Sequence, residues 1–181
     1  PVTNSEWFSN IPQSPKIITL RIFNHLIYGS VELERLNLDS QKPLITNEDK
    51  KEVIKALNSS LLTDGPKLIE FEKEFAKSTN SKYAIGVSNA TSALQLSLIC
   101  SGIKKGDEVI IPNLTFIATA SSVILAGATP VLADVDNDTL NISIDSIQKN
   151  ITKKTKAIIP VHLAGMPCNM KKIIEIGKKN N

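Results

Sequence analysis

Residues 108–135 read EVIIPNLTFIATASSVILAGATPVLADV and decide the fold class. Glu108–Pro112 and Pro130–Val135 are short apolar runs typical of buried strands, and Thr115–Ala126 is apolar over the length of a helix. Gly127 follows, in the position where glycine often ends a helix. This alternation of strand, helix and strand predicts an α/β fold with a mostly parallel sheet and right-handed crossovers.

The same alternation continues on both sides of this stretch. Two further apolar runs predict strands, Tyr83–Val87 before it and Ala157–Val161 after it. Three further segments predict helices: Thr91–Ser101, Ser143–Asn150 and Asn169–Lys179. Ser143 and Asn169 are residue types that cap helix N-termini. The pattern therefore predicts four strands, each followed by a helix.

Two more helices are expected before the first strand. Thr46 followed by Asp49 is close to the capping-box pattern, and Gly65-Pro66 places a proline in a first helical turn. Further upstream, Ile17–Tyr28 is apolar and is compatible with either a strand or a helix.

Length and composition exclude several classes of protein. At roughly 100–200 residues per domain, the length allows one domain. We place it at residues 44–181, after an N-terminal segment, residues 1–43, whose structure the sequence does not indicate. Apolar residues make up 41% and charged residues 22%, which excludes wholesale disorder. Cys100 and Cys168 form no disulfide framework, and no signal-peptide pattern opens the sequence. A reducing, cytoplasmic location is therefore expected.

Charge and hydropathy argue against nucleic-acid and membrane partners. The net charge is +3, and the lysines from Lys149 onward have no interleaved aromatic residues for base stacking. The uncharged stretches Tyr83–Ile103 and Val109–Ala133 are long enough for membrane helices, but polar residues, glycine and proline interrupt both. We interpret the lysines as a solvated face and the uncharged stretches as buried α/β core.

The segment Val87–Leu94, VSNATSAL, is the strongest local candidate for a binding site. It lies where a predicted strand meets a predicted helix, and helix N-termini offer unpaired N–H groups and a positive dipole end to phosphates. The hydroxyls of Thr91 and Ser92 can add hydrogen bonds. A helix cap with nothing bound explains the segment equally well. It matches neither the Rossmann glycine fingerprint nor the Walker A loop.

Other polar residues give weaker signals. Four aspartates are spaced like the ligands of a calcium-binding loop: Asp134, Asp136, Asp138 and Asp145. Threonine takes the glycine position of such a loop and aspartate the final glutamate position, so a turn is the better interpretation. His162 follows a predicted strand, where α/β sites gather, but it and Cys168 have no further zinc ligands nearby. No metal site is expected.

A series of motifs runs in order from Leu44 to Asn181. The motifs are Leu61–Pro66, Phe71-Glu72, Ser88–Leu94, Gly106–Ile110, Pro112, Thr115-Phe116, Ala118-Thr119, Gly127–Pro130, Asp134–Asp136, Thr155–Ile158, Pro160–His162 and Gly165. In this order they resemble the DegT/DnrJ/EryC1/StrS family of sugar aminotransferases, which are pyridoxal 5'-phosphate (PLP) enzymes.

The resemblance implies roles for several residues. It assigns cofactor-phosphate binding to Ala90, Thr91 and Ser92, and stacking on the pyridine ring to Phe116. Without the resemblance, Phe116 is better interpreted as a core residue at the head of a helix. His162 is a candidate substrate contact. The family's aspartate for the pyridine nitrogen, a nearby glutamine and the Schiff-base lysine follow later strands, so no catalytic residue is assigned.

The resemblance also implies a three-layer α/β/α domain, the large domain of aspartate-aminotransferase-like PLP-transferases. Its mostly parallel seven-stranded sheet has the order 3-2-4-5-6-7-1, and the four predicted strands would be strands 1 to 4 of an incomplete N-terminal part. Strands 2, 3 and 4 can be neighbours, whereas strand 1 would lack partners. We therefore expect the isolated chain to be poorly stable, to aggregate or to need a partner.

The function implied is that of an N-terminal fragment of a PLP-dependent aminotransferase. The enzyme would move an amino group from glutamate to a nucleotide-linked keto-deoxysugar for polysaccharide biosynthesis, as a cytoplasmic homodimer. Two alternatives stay open. A relative with histidine in place of the Schiff-base lysine would be a sugar dehydratase, and a short protein without catalysis would be a binding module.

Overall fold

A computed structural model describes residues 44–180 of the chain. The described residues fall into two compact units, residues 44–88 and residues 89–180. The apolar segment Ile17–Tyr28 lies outside the described residues, so the strand or helix expected there stays a prediction. Among the described residues, every helix is too short or too polar to cross a lipid bilayer.

The unit of residues 44–88 contains two helices, α1 (Asn47–Leu57) and α2 (Pro66–Ser78). Both halves of the capping box before α1 are present. The Asp49 N–H donates to Thr46 Oγ1 at 3.2 Å, and the Thr46 N–H donates to Asp49 Oδ2 at 2.7 Å. Pro66 is the first residue of α2. Both predicted helix starts are therefore confirmed.

The predicted strand Tyr83–Val87 is wrong, because no strand forms over these residues. A strand requires a neighbour for its N–H and C=O groups, and the sheet formed by the described residues consists of three other strands. One amide of the segment bonds to a side chain instead: the Gly86 N–H donates to Glu72 Oε1 at 2.7 Å. The lack of partners expected for strand 1 thus accounts for the absence of the strand itself.

The unit of residues 89–180 is built on a parallel sheet of β1 (Glu108–Pro112), β2 (Thr129–Ala133) and β3 (Thr155–Ile158). The strand order is β2-β1-β3. In the family's numbering this order is 3-2-4, so the predicted neighbours are confirmed. β1 has its predicted bounds, whereas β2 and β3 end earlier than predicted. β2 ends because the Asp134 N–H leaves the ladder and donates to Ser146 Oγ at 2.8 Å.

Within residues 89–180, four α-helices accompany the sheet: α3 (Ala90–Cys100), α4 (Ala118–Leu125), α5 (Ile144–Asn150) and α6 (Met170–Asn180). The predicted caps are confirmed, since Ser143 Oγ accepts from the Ser146 N–H at 3.3 Å and Asn169 Oδ1 from the Lys172 N–H at 3.2 Å. Gly127 follows α4 with a φ of +85°, which favours glycine.

The two faces of the sheet carry two separate hydrophobic cores. Val109 and Ile111 of β1 point to one face, and Ile110 points to the other. The first core also contains Leu94, Leu98, Ile103, Ala118, Val123, Ala128, Ala157 and Ile159. The second also contains Ala133, Ile142, Ile147, Ile158, Cys168, Ile173 and Ile176. Helices α3 and α4 cover one face and α5 and α6 the other, which confirms the predicted three-layer α/β/α fold.

Candidate functional site

The first turn of α3 is the candidate phosphate site. Asn89 is the N-cap, and its Oδ1 accepts from the Ser92 N–H at 2.9 Å. The first backbone bond of the helix runs from the Ala93 N–H to the Asn89 carbonyl at 3.1 Å, so the amides of Ala90 and Thr91 have no acceptor within the helix. Ala90 is exposed, and Thr91 and Ser92 are half-buried. The turn can therefore offer two amides to a ligand, and the hydroxyls of Thr91 and Ser92 lie in the same turn.

The charge of this turn suits an anion. The first turn of α3 has no acidic residue, as is also true of α2, α4 and α6, whereas α1 has Glu48 and Asp49 and α5 has Asp145 in their first turns. A carboxylate near a helix N-terminus uses the same positive dipole end that an anionic ligand would use. The first turn of α3 carries no such carboxylate, and the Ala90 side chain is small. The turn therefore fits the phosphate group of PLP.

Phe116 lies in the connection between β1 and α4, outside the helix in which the sequence placed it. Its carbonyl accepts from the Thr119 N–H at 3.0 Å, and the hydroxyls of Thr115 and Thr119 are 2.8 Å apart. These two hydrogen bonds fix the backbone on either side of Phe116. The side chain is 57% exposed, so the interpretation of Phe116 as a core residue is wrong. An exposed ring on a fixed backbone can stack on a planar ligand.

The chain direction brings the α3 turn and Phe116 to the same edge of the sheet. Helix α3 leads into β1 and helix α4 into β2, each through a short connection, so both helices run back from the carboxyl edge to the amino edge. Their buried side chains share the first core, and Gln95 Nε2 donates to the Leu125 carbonyl at 3.3 Å. The first turn of α3 and the loop before α4 therefore both lie toward the carboxyl edge, where α/β proteins bind ligands.

His162 follows β3, which runs parallel to β1, and therefore lies at the same edge. The imidazole is half-buried, and its Nδ1 accepts from the Cys168 N–H at 3.0 Å. Among residues 44–180, no group of three or more His, Cys, Asp or Glu side chains could hold a metal ion. The hydrogen bond from Cys168 orients the His162 ring but does not identify a ligand. The substrate contact predicted for His162 therefore stays a prediction.

The aspartates after β2 form a turn, as predicted. Asp136 Oδ1 accepts from the Thr139 N–H at 3.0 Å, the Thr139 hydroxyl at 3.1 Å and the Asp138 N–H at 3.1 Å. These hydrogen bonds, those from Thr139 foremost, lower the pKa of Asp136. Asp134 accepts instead from Asn113 Nδ2 at 3.1 Å, which links the ends of β2 and β1.

Two asparagines have structural roles that the sequence did not reveal. Asn89 caps α3, and its position one residue before a helix is a signal that could have identified it. Asn141 is 5% exposed and bonds to the backbone of Leu163 and Met166, which lie 22 and 25 residues further along the chain. No local pattern reports such distant partners, so Asn141 could not be found from its neighbours in sequence.

The two cysteines are expected to differ in reactivity. Cys100 is exposed, whereas Cys168 is buried and its thiol donates to the Val161 carbonyl at 3.1 Å. Burial raises the pKa of Cys168, which depletes its reactive thiolate. Alkylation with iodoacetamide at pH 8, followed by mass spectrometry, should modify Cys100 at least about tenfold faster. The rates should converge in denaturant, and equal rates in the native protein would contradict the buried position of Cys168.

Comparison with known proteins gives a consistent set of relatives. The chain is 43% identical over 141 residues to GDP-perosamine synthase of Escherichia coli O157:H7, covering 77% of this chain and 39% of that protein. It is 45% identical over 138 residues to the spore coat polysaccharide biosynthesis protein SpsC of Bacillus subtilis strain 168, covering 76% and 36%. The chain therefore spans less than half the length of these curated relatives.

The chain is also similar to solved structures, in both fold and sequence. The crystal structure of NtdA from Bacillus subtilis, with bound cofactor PMP, superposes with a TM-score of 0.70 and 35% identity, over 75% of this chain and 32% of that one. The family model described as the DegT/DnrJ/EryC1/StrS aminotransferase family matches residues 43–181. This match includes the α3 turn, the whole sheet and the loops at its carboxyl edge. The chain belongs to the DegT/DnrJ/EryC1/StrS aminotransferase family.

Proposed function

We propose that this chain supplies the phosphate-binding and ring-stacking residues of a PLP-dependent sugar aminotransferase. The enzyme transfers an amino group from glutamate to a nucleotide-linked keto-deoxysugar. Family membership, the name of GDP-perosamine synthase and the PMP bound to NtdA support the proposal. The observation that carries it is the first turn of α3, whose small, uncharged residues leave two amides for a phosphate at the carboxyl edge of the sheet.

Each candidate residue has a definite task in this proposal. The amides of Ala90 and Thr91, with the hydroxyls of Thr91 and Ser92, hold the phosphate, and Phe116 covers one face of the ring. PLP, when bound, supplies an electron sink for amino-group transfer. The residues of this chain therefore bind and orient the cofactor and do not themselves move the proton.

We also propose that the proton-transfer residues are not among these 181 residues. The family's aspartate, glutamine and Schiff-base lysine follow later strands than β3, and no lysine of this sequence lies in the matching motif. A histidine in place of that lysine would make the protein a sugar dehydratase.

The test begins with the gene sequence beyond the codon for Asn181. A continuing frame with lysine at the Schiff-base position predicts that the encoded protein, given glutamate and a panel of nucleotide-linked keto-sugars, forms 2-oxoglutarate and an amino sugar. Histidine there, with loss of water from the sugar, would favour the dehydratase. A stop codon directly after Asn181, with a product that leaves PLP absorbance unchanged, would contradict both activities and favour a binding module.

Removal of the Phe116 ring is expected to weaken cofactor binding without unfolding the protein. Stacking on an aromatic ring contributes about 1–3 kcal/mol, so Phe116→Ala should raise the Kd for PLP by about fivefold or more in the encoded protein. The melting temperature without cofactor should change little, because the ring is 57% exposed. Phe116→Tyr keeps the stacking surface and serves as the control. Equal PLP affinity for Phe116→Ala and Phe116→Tyr would exclude stacking.

The proposal includes a cytoplasmic homodimer. Ile117, Ile124 and Leu125 are 70%, 61% and 58% exposed on and before α4, and large exposed apolar side chains of this kind are candidates for an interface. Sedimentation of the encoded protein should give the mass of a dimer, and a monomer at all micromolar concentrations would contradict this part of the proposal.

A further inference from the structure

The loop that carries Phe116 is tied at its start to the neighbouring strand. The loop follows β1 and begins at Asn113, whose N–H donates to the Ala133 carbonyl of β2 at 2.9 Å. The Asn113 side chain also donates to Asp134 Oδ1 at 3.1 Å, but both of these residues are exposed. A side-chain bond between exposed groups competes with water, so the backbone bond of Asn113 is the firmer tie. The start of the loop is therefore held by the sheet.

The end of the loop lacks the side-chain cap that other helices of this unit have. The N-cap residue of α4 is Ile117, which makes no side-chain cap bond, whereas Asn89 caps α3 and Ser143 caps α5. A capping side chain satisfies a free amide of the first turn and stabilises the helix start. The entry into α4, directly after Phe116, therefore depends on other contacts.

The hydroxyls of Thr115 and Thr119 supply such a contact. Their Oγ1 atoms are 2.8 Å apart, and Phe116 lies between the two residues in the chain. Thr119 is 5% exposed, whereas Thr115 is half-buried. Separation of the pair would leave the Thr119 hydroxyl in a buried place without this bond, which is costly, so the pair resists opening. The Thr119 N–H also donates to the Phe116 carbonyl at 3.0 Å. One buried residue thus holds the loop on both sides of the ring.

We propose that Thr119 is a positioning residue for Phe116, whose ring it holds in place, through Thr115, before PLP binds. A ring that is already ordered loses little conformational freedom when it stacks on a ligand, and this raises affinity without adding a contact. The stacking of Phe116 on PLP rests on the proposed function, whereas the ordering of the ring by Thr119 does not.

The order of the ring can be measured in the encoded protein without cofactor. 4-Fluorophenylalanine is incorporated at position 116 alone and observed by ¹⁹F NMR. The para fluorine lies on the axis about which the ring flips, so its line width reports motion of the side chain and the loop. Thr119→Val keeps the branched shape without the hydroxyl and should narrow the line by about twofold or more, because the loop becomes mobile. Thr119→Ser keeps the hydroxyl and should retain the broad line. An equally broad line in Thr119→Val would overturn the proposal.

Ser122→Ala is the matched control, because it also removes a buried hydroxyl from α4. Ser122 is 0% exposed, and its Oγ donates to the Thr119 carbonyl at 3.0 Å, inside the helix and away from the loop. Ser122→Ala should leave both the fluorine line and the affinity for PLP unchanged. If it narrows the line as much as Thr119→Val does, any lost hydroxyl in α4 loosens the loop, and the specific role of Thr119 is refuted.

The affinity for PLP tests whether Thr119 acts through the Phe116 ring. Thr119→Val should raise the Kd for PLP by about threefold to tenfold in the encoded protein, which is the equivalent of one hydrogen bond. In the Phe116→Ala background the same substitution should raise the Kd by less than about twofold, because no ring is left to position. Equal factors in the two backgrounds would mean that Thr119 affects cofactor binding by another route, and the proposal would be wrong.

If Thr119→Val does not fold, Thr115→Val gives the decision. It removes the other hydroxyl of the pair, at a half-buried position, and should have the same effects on the fluorine line and on the Kd. Thr115→Ser keeps that hydroxyl and is its control, so equal results for the two Thr115 variants would overturn the proposal. A folded protein that binds no PLP would refute the proposed function, and the fluorine line would still decide whether Thr119 holds the Phe116 ring.

Discussion

Replacement of Ala90 by aspartate is expected to weaken PLP binding by roughly 100-fold while leaving α3 at least as stable as before. The new carboxylate would stand in the first turn of α3, beside the site proposed for a phosphate. Two unit charges about 5 Å apart near a protein surface repel by about 3 kcal/mol, which corresponds to that loss of affinity. The same carboxylate interacts favourably with the helix dipole, by about 0.3–1 kcal/mol.

These opposite signs make the Ala90→Asp experiment specific. A substitution that merely damages the fold lowers both stability and affinity, whereas this one should lower affinity alone. Ala90→Asn has the same shape without the charge and should bind PLP within about threefold of the original protein, since it adds no repulsion. Affinity is measured by PLP titration of the encoded protein and stability by thermal unfolding without cofactor. If Ala90→Asp binds PLP as tightly as Ala90→Asn, the phosphate is not at this turn.

The parts of the fold that could be predicted are those whose cause is local in sequence. The caps at Ser143 and Asn169 were found because each side chain bonds to an amide three residues away. The bounds of β1 were found because an apolar run buried on both faces stands out from its surroundings. Tyr83–Val87 shows the same apolar pattern without forming a strand, because a strand also depends on its partners.

In the candidate site, too, features with a local cause in the sequence could be predicted, and features that depend on distant residues could not. The α3 turn was identified from small residues before a helix, a feature that a short stretch of sequence contains. Phe116 was assigned to the site by family resemblance alone, since an apolar residue before a helix is otherwise expected in the core, and its 57% exposure depends on the packing of the loop. Asn141 was missed because both of its partners lie more than twenty residues away.

Ile111→Ala is expected to cost about 2–5 kcal/mol of the free energy of unfolding, because a buried side chain is removed and leaves a cavity. Ile111 of β1 is 0% exposed, and it packs in the core shared with α3 and α4. Ile110→Ala should cost a similar amount, because Ile110 is 0% exposed in the core on the opposite face. Similar losses at adjacent residues are expected only when helices cover both faces of the sheet.

The matched control is Leu132→Ala on the neighbouring strand. Leu132 stands directly opposite Ile111 in the β1–β2 pairing but is 61% exposed, so its loss should cost less than about 1 kcal/mol. Urea unfolding of the encoded protein, followed by far-UV circular dichroism, measures all three variants. Small domains are stable by only about 5–15 kcal/mol. A loss at the upper end of the expected range would leave either isoleucine variant unfolded without urea, and that result also agrees with the expected loss. A loss at Leu132 equal to that at Ile111 would contradict the exposed position of the Leu132 side chain, and a negligible loss at Ile110 would contradict the layer formed by α5 and α6.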